Sequence, residues 1–299
     1  MNRSLSRRDF LGVVAGGLAC ARAGVASPPA RKLLVGHTGI TWGYAPANAE
    51  RAIADVGSLG YHAFESFGSV LEYWDQRGGL KRLLEQANLP LRSAYCPFEL
   101  TDSAKRAATL AAATRWGKLI RAAGGSVAVI GPNNVTRSTF DMRANQTQIV
   151  ATLNDIGRAL ADTGVIGALH PHSGSCIETR DDVYAVMEAV DTSIVKLAPD
   201  VGELMAGGAD PLPIIRDFLP LIRHAHLKDY NGGATNDGYC PLGHGRVDIA
   251  GVVNLLETAP NDLMLMVELN PSSGSQATAP LETARLSKTH LETLGYRFR

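Results

Sequence analysis

Ile222-Arg223-His224-Ala225-His226-Leu227-Lys228-Asp229 sets how the rest of this chain reads. Successive side chains of an extended strand point to opposite faces, so His224, His226 and Lys228 share one face. Three polar groups on one side of a short apolar strand need a reason, and similar endings recur. Leu169-His170-Pro171-His172-Ser173-Gly174-Ser175-Cys176-Ile177-Glu178-Thr179 starts where an apolar run closes in imidazoles. Pro199-Asp200-Val201-Gly202-Glu203 follows another run, and Leu263-Met264-Leu265-Met266-Val267 ends in Glu268. Apolar strands that end in His, Asp and Glu read as one divalent-metal site at the mouth of a parallel barrel.

The whole chain alternates in the same manner. Expected strands are Leu33–His37, His62–Glu65, Leu91–Ala94, Ser126–Ile130, Val165–His170, Ile194–Ala198, Ile222–Leu227 and Leu263–Glu268. Expected helices fill the gaps: Ala47–Leu59, Gly79–Ala87, Ser103–Ala123, Ala144–Asp162, Asp181–Val190, Pro211–Phe218, Ile249–Glu257 and Leu281–Leu294. Asp210-Pro211 pairs an N-cap with proline at the first helical position, and Asp248 is placed to cap the next helix. Eight strand–helix units in alternation predict the α/β class and a single (β/α)8 TIM barrel. An open doubly wound sheet would want a glycine-rich phosphate loop after the first strand. Gly36-His37-Thr38-Gly39 does not fit that fingerprint, and Gly243-His244-Gly245 reads as a loop. The polar stretch Pro271–Pro280 is long enough for a lid over the barrel mouth.

Composition narrows the function. The 299 residues are 45% hydrophobic and 19% charged, with zero formal net charge. That balance lacks the sequence-independent attraction on which a nucleic-acid binder relies. Residues 1–30 read as a twin-arginine signal peptide, with Ser6-Arg7-Arg8-Asp9-Phe10-Leu11 ahead of an apolar stretch from Gly12 to Ala19. The stretch is too short for a stable membrane span. Residues 31–299 are then the barrel, exported through the twin-arginine machinery to the periplasm or beyond. That route carries folded proteins, which suits one that takes up a metal before it leaves the cell. Cys96, Cys176 and Cys240 form no disulfide framework, although one pair is open to them in an oxidising compartment.

Each polar strand end has a bland alternative. A lone Asp200 caps a turn, a lone strand-end histidine is a hydrogen-bonded filler, and Lys228-Asp229 is a surface pair. Glu65 alone says little, His224 is structural, and His37 belongs to the core or behind the site. Several coincidences at one end of one barrel are less economical than a shared metal. Histidine and carboxylate ligands without cysteine suit Mn²⁺, Co²⁺ or Zn²⁺ better than Mg²⁺. Such an ion polarises a carbonyl, so that a neighbouring carbon loses a proton to a carboxylate or histidine, with Lys228 placed to stabilise the enediolate.

Taken together, these segments resemble the xylose-isomerase-like barrels of sugar isomerases and epimerases, and within them the inosose dehydratase branch. The resemblance also runs through Gly207-Gly208-Ala209-Asp210-Pro211-Leu212 and Pro241-Leu242-Gly243-His244-Gly245. It spans Lys32 to the C-terminus and is densest from Gly167 to Glu268. It implies one divalent ion held by His170, Asp200, His226 and Glu268, with Glu178 as the rival to His170. The expected catalytic residues are Glu178, Lys228 and His172, and the expected substrate contacts are Glu65, Glu203 and Trp42. Two departures lie at the mouth: Gly202-Glu203 where relatives carry Gly-His, and Leu269-Asn270 where dehydratases carry Gln-Asp. The expected function is an exported, metal-dependent dehydratase-type lyase acting on a keto-sugar or keto-cyclitol, a 3-keto-glycoside among them. A ketose isomerase or epimerase, and a sugar-binding barrel without turnover, are the alternatives. The expected partners are the small-molecule substrate, the export machinery and a second copy of the chain, with no nucleic acid.

Overall fold

The parallel strands are β1 (Val35–Thr38), β2 (Phe64–Phe67), β3 (Leu91–Phe98), β4 (Val127–Pro132), β5 (Ile166–Leu169), β6 (Val195–Leu197), β7 (His224–Leu227) and β8 (Met264–Val267). In this computed structural model, which describes residues 31–271 and 278–299, they pair in the order β6-β5-β4-β3-β2-β1-β8-β7. Parallel bridges from Leu197 to Ile222 and from Asp200 to His226 link β6 to β7 and close the ring. The result is the expected (β/α)8 barrel, with the last bridge lying inside the expected metal site. The leader, its cleavage sites and most of the expected lid lie outside the described residues.

Strand periodicity separates the barrel interior from the layer beneath the helices. Val127, Val129, Ala168 and Ala198 cluster with Tyr95, while their strand neighbours Ala128, Ile130, Leu169 and Leu197 join the large core beneath the helices. Fully burying each aliphatic side chain contributes roughly 1.5–3 kcal/mol, so the strand–helix interface is the main stabilising layer. Across the barrel interior Met264 and Met266 pack with Ala63.

Helix starts follow their caps. Asp210 accepts from the Leu212 amide at 3.0 Å ahead of Pro211–Phe218, and Asp248 from the Gly251 amide at 2.8 Å ahead of Ile249–Leu256. Thr179 and Asp182 make a reciprocal capping box at Arg180–Met187. Two short helices were not anticipated, Gly68–Asp75 after β2 and Val201–Ala206 after β6. The second expected strand also shifts. β2 begins at Phe64 and runs to Phe67, so Glu65 lies within the strand rather than at its end. Beyond β7 the chain makes a two-stranded hairpin, Asp229–Tyr230 against Tyr239–Cys240. The last helix begins at Pro280, which ends the expected lid segment. Cys96, Cys176 and Cys240 are buried and unpaired, so none uses the disulfide left open by the sequence. No described helix is long and apolar enough to cross a membrane.

Candidate active site

Asp200 begins the site because it does two jobs. Its Oδ1 caps Val201–Ala206, accepting from the Gly202 and Glu203 amides at 2.8 and 2.9 Å. Its Oδ2 is buried with no hydrogen-bond partner. The cap brings the helix start against β7: a Cβ at Gly202 would lie 2.8 Å from the Lys228 Cβ and 2.9 Å from its carbonyl oxygen. Only glycine fits that approach, and the approach sets Glu203 over Lys228.

His224, His226 and Lys228 are all fully buried. Glu65 reaches across from β2 to both imidazoles, 2.8 Å from His224 Nε2 and 2.9 Å from His226 Nε2. Ser93 Oγ donates to the same carboxylate at 2.6 Å. On the other side of the His226 ring, Nδ1 lies 3.1 Å from Glu268 Oε2 and 3.7 Å from Asp200 Oδ2. These contacts are close, yet neither His226 nitrogen has an aligned hydrogen-bond partner. His170 stands with its ring centroid 4.7 Å from that of His226, and its Nδ1 is buried and unpartnered. His170, Asp200 and His226 each offer a ligand atom within 4.8 Å of the others.

This donor set fits a divalent cation. Three orphaned buried atoms, His170 Nδ1, Asp200 Oδ2 and His226 Nδ1, belong to residues that face one another. Each unsatisfied group costs on the order of 1–3 kcal/mol unless something binds it. Charge gives the same answer. Glu65, Asp200, Glu203 and Glu268 are buried around a single ammonium, Lys228. Three carboxylates lack a fixed counter-charge, which the interior tolerates only with a metal or added protons.

The protonation equilibria show that strain. Burial works to raise the Glu268 carboxyl, but Lys228 and His226 outweigh it and hold the group well below the usual carboxylate range. Glu65 is also lowered, with His226 and His224 opposing its burial. Burial disfavours charge on His226, yet Glu65 and Glu268 raise it well above an ordinary histidine. His170, desolvated and beside His226, lies well below that value and keeps its lone pairs. Burial leads the rise of Asp200.

Above this floor is a cavity of about 110 Å³ whose wall includes Thr38, Glu65, Tyr95, His170, His172 and Glu268. His172 is half-buried there, with Nδ1 2.7 Å from the Ser173 carbonyl oxygen and Nε2 3.4 Å from Glu203 Oε1. The remaining expected residues are placed differently. Glu178 pairs with Arg137 at 2.7 Å and accepts from the Gly174 amide at 3.2 Å, so His170 and not Glu178 stands beside Asp200 and His226. Lys228, expected at an enediolate, donates to Glu203 at 2.6 Å and Glu268 at 2.8 Å and is sealed from solvent. Glu203, expected at the substrate, is occupied by Lys228, by the Tyr239 hydroxyl at 2.6 Å and by the Ser173 amide at 3.0 Å. Trp42 donates its indole N–H to Asp55 at 2.8 Å, behind the cavity wall. Asp229 is no surface residue; it accepts from the Gly243, Gly245 and Val247 amides and holds the loop beyond the hairpin.

Sequence reasoning missed Ser93, Tyr95, Arg137 and Tyr239. Tyr95 lies on the inner face of β3, and a period-two count along that strand would have found it. Arg137 lies in a loop and Tyr239 in the two-residue strand of the hairpin, both too short for periodicity to mark them.

The profile of the xylose isomerase-like TIM barrels matches residues 53–292. The chain belongs to that family. Among xylose isomerase-like barrels, the inosose dehydratase of Clostridium botulinum (strain Alaska E43 / Type E3) is 24% identical over 280 residues, 81% of this chain and 88% of that protein. Other inosose dehydratases are up to 36% identical, but over 77 residues that span 26% of either chain. The IolI protein, solved with a bound zinc atom, superposes with a TM-score of 0.71 at 16% identity, covering 88% of this chain and 98% of its own. The 3-keto-D-glucoside 4-epimerase of E. coli superposes at 0.68 and 17% identity, covering 86% of this chain and all of its own. At such identities the structural likeness is one of fold. In sequence, the chain is similar to inosose dehydratases.

Proposed function

We propose that this barrel is a divalent-metal-dependent carbon–oxygen lyase or epimerase for a keto-sugar or keto-cyclitol. The observation that carries the proposal is the convergence of His170, Asp200, His226 and Glu268, three of them with orphaned buried atoms, beneath one cavity. Those four residues would hold the ion, and mixed imidazole and carboxylate donors favour Mn²⁺ or Co²⁺, with Zn²⁺ and Mg²⁺ as weaker candidates. A bound ion supplies Lewis acidity, which makes the proton alpha to a carbonyl removable.

The protein's own groups do the rest. Glu65 orients His226 from behind, as outer-shell carboxylates do for metal-binding imidazoles. His172 is the proton acceptor in the wall: the Ser173 carbonyl engages Nδ1, which leaves Nε2 to take the proton. Glu203 stands 3.4 Å from that nitrogen to hold the ring once it is charged. Lys228 keeps Glu203 and Glu268 ionised without touching substrate. The enediolate then has three outcomes: loss of a beta hydroxyl is dehydration, loss of a glycosidic oxygen is cleavage, and return of the proton to the opposite face is epimerisation.

The leader at residues 1–30 supports a periplasmic or secreted setting, and that setting favours a 3-keto-glycoside over free inosose. Proton exchange tests the chemistry. Mature protein in D₂O with 3-keto-glucosides, inosose and simple ketoses is expected to label the carbon beside the carbonyl. Labelling should vanish with EDTA and return with Mn²⁺ or Co²⁺. Labelling that persists without metal, or none on any of these substrates, would refute the proposal. A reporter carrying residues 1–30 is expected to reach the periplasm and to be retained after Arg7→Lys with Arg8→Lys.

A further inference from the structure

Tyr44 is 65% exposed, more than any other large apolar side chain among the described residues, yet it lines the same cavity as His170 and Glu268. Its loop is held on both sides. Trp42 is fixed through Asp55, Asn48 Nδ2 donates to the Trp42 carbonyl at 2.8 Å, and Trp74 Nε1 donates to the Pro46 carbonyl at 2.9 Å. Gly43 turns the chain out with φ of 100°, a conformation that favours glycine. An exposed aromatic ring on a pinned loop is a binding surface whose ordering cost was met during folding.

The ring is also the outer end of a continuous aromatic wall. Tyr44 is 6.3 Å from Phe67, Phe67 is 5.7 Å from Tyr95, and Tyr95 is 5.4 Å from His170, all between ring centroids. The wall runs from solvent to the metal-binding residues. It contains Glu65 and Glu268 but no Lys or Arg, and the nearby Lys228 is saturated by Glu203 and Glu268. Apart from the ion at its floor, this wall would offer a phosphate two carboxylates and no Lys or Arg, whereas an uncharged ring meets aromatic faces.

We infer that Tyr44 is the platform of an aglycone subsite, so that the substrate is an uncharged keto-glycoside whose sugar ring lies over His170 and Glu268 and whose aglycone ring stacks on Tyr44. This rests on the proposed keto-sugar chemistry and adds to it which keto-sugars are taken: glycosides bearing a second ring, without phosphate. It also gives Trp42 a place, as the anchor of the loop that presents the platform.

Calorimetric binding to the metal-loaded mature chain carrying His172→Asn, which lacks the proposed proton acceptor, tests it independently of turnover. The probes are phenyl 3-keto-β-glucoside, methyl 3-keto-β-glucoside and 3-keto-glucose 6-phosphate. The phenyl glycoside is expected to bind about tenfold more tightly than the methyl glycoside, as one aromatic contact supplies. The phosphate is expected not to bind. Tyr44→Ala should remove the phenyl preference and leave methyl binding within about twofold, while Tyr44→Phe should retain it. Tyr44 is exposed, so the variants should melt like the wild type. A phenyl preference that survives Tyr44→Ala, equal weakening of both glycosides, or tight phosphate binding would overturn the inference. If inosose undergoes metal-dependent exchange but neither glycoside binds, the subsite falls and the chemistry stands. If nothing binds and nothing exchanges, both fall together.

Discussion

Replacing Lys228 with methionine removes the one ammonium among four buried carboxylates and leaves the side-chain volume nearly unchanged. Its Nζ lies 2.6 Å from Glu203, 2.8 Å from Glu268 and 3.9 Å from Asp200, and 4.1 Å from the Tyr239 ring centroid. Glu203 is fully shielded and Glu268 nearly so, so neither recovers hydration when its partner goes. Breaking such a pair from one side costs about 3–5 kcal/mol. For a domain of this size that lowers Tm by on the order of 10 °C. The measurement is urea and thermal unfolding of the metal-free mature chain at pH 7. The companion is Glu203→Gln with Lys228→Met, which removes one charge of each sign while the amide oxygen still accepts from Tyr239 and Ser173. If the loss is electrostatic, the double variant regains about 2 kcal/mol or more over Lys228→Met alone, a coupling typical of residues in one network. Mn²⁺ should also raise the Tm of Lys228→Met more than that of the wild type, because Glu203 and Glu268 have then lost their ammonium partner. A Lys228→Met cost below about 1 kcal/mol, or no recovery in the double variant, would refute the claim that Lys228 balances this charge.

Two further outcomes follow from neighbouring residues. Glu65→Gln is expected to weaken Mn²⁺ binding about 10- to 100-fold by calorimetry, since it orients His226 from behind; unchanged affinity would mean that His226 needs no such support. His37 is buried between Trp42 and Tyr61, and burial lowers its pKa to about 4. Below pH 6.5 the unfolded chain binds a proton that the folded chain refuses, so stability should fall as the pH drops towards 4, by about 3 kcal/mol in all. His37→Gln should flatten that part of the curve, and an unchanged slope would clear His37 of the effect.

Legibility in the sequence followed the range of the interaction. The alternation of apolar runs and helical periods is local, and it placed eight strands and the caps Asp210 and Asp248. It also put His224, His226 and Lys228 on one face, because side-chain direction in a strand depends on parity alone. It was less reliable at element edges. The helix Gly68–Asp75 starts directly from β2, with no side-chain cap to announce it. Val201–Ala206 is a six-residue helix capped by Asp200, whose carboxylate reads equally as cap or ligand.

By itself, the sequence determined the barrel, the end of the barrel that carries the polar residues, and the kinds of donor found there. Tertiary structure alone decided which groups are spoken for and which stay open. Glu178 is taken by Arg137, Glu203 by Lys228 and Tyr239, and Glu65 by His224, 159 residues away. His170 Nδ1 and Asp200 Oδ2 are left without partners. Parity along a strand fixes the face a side chain points to, but the partner it meets depends on barrel closure, strand register and loop paths. Those are set by packing across the whole chain, so two carboxylates that look alike in sequence end as a salt-bridged loop strut and a helix cap with one oxygen left open.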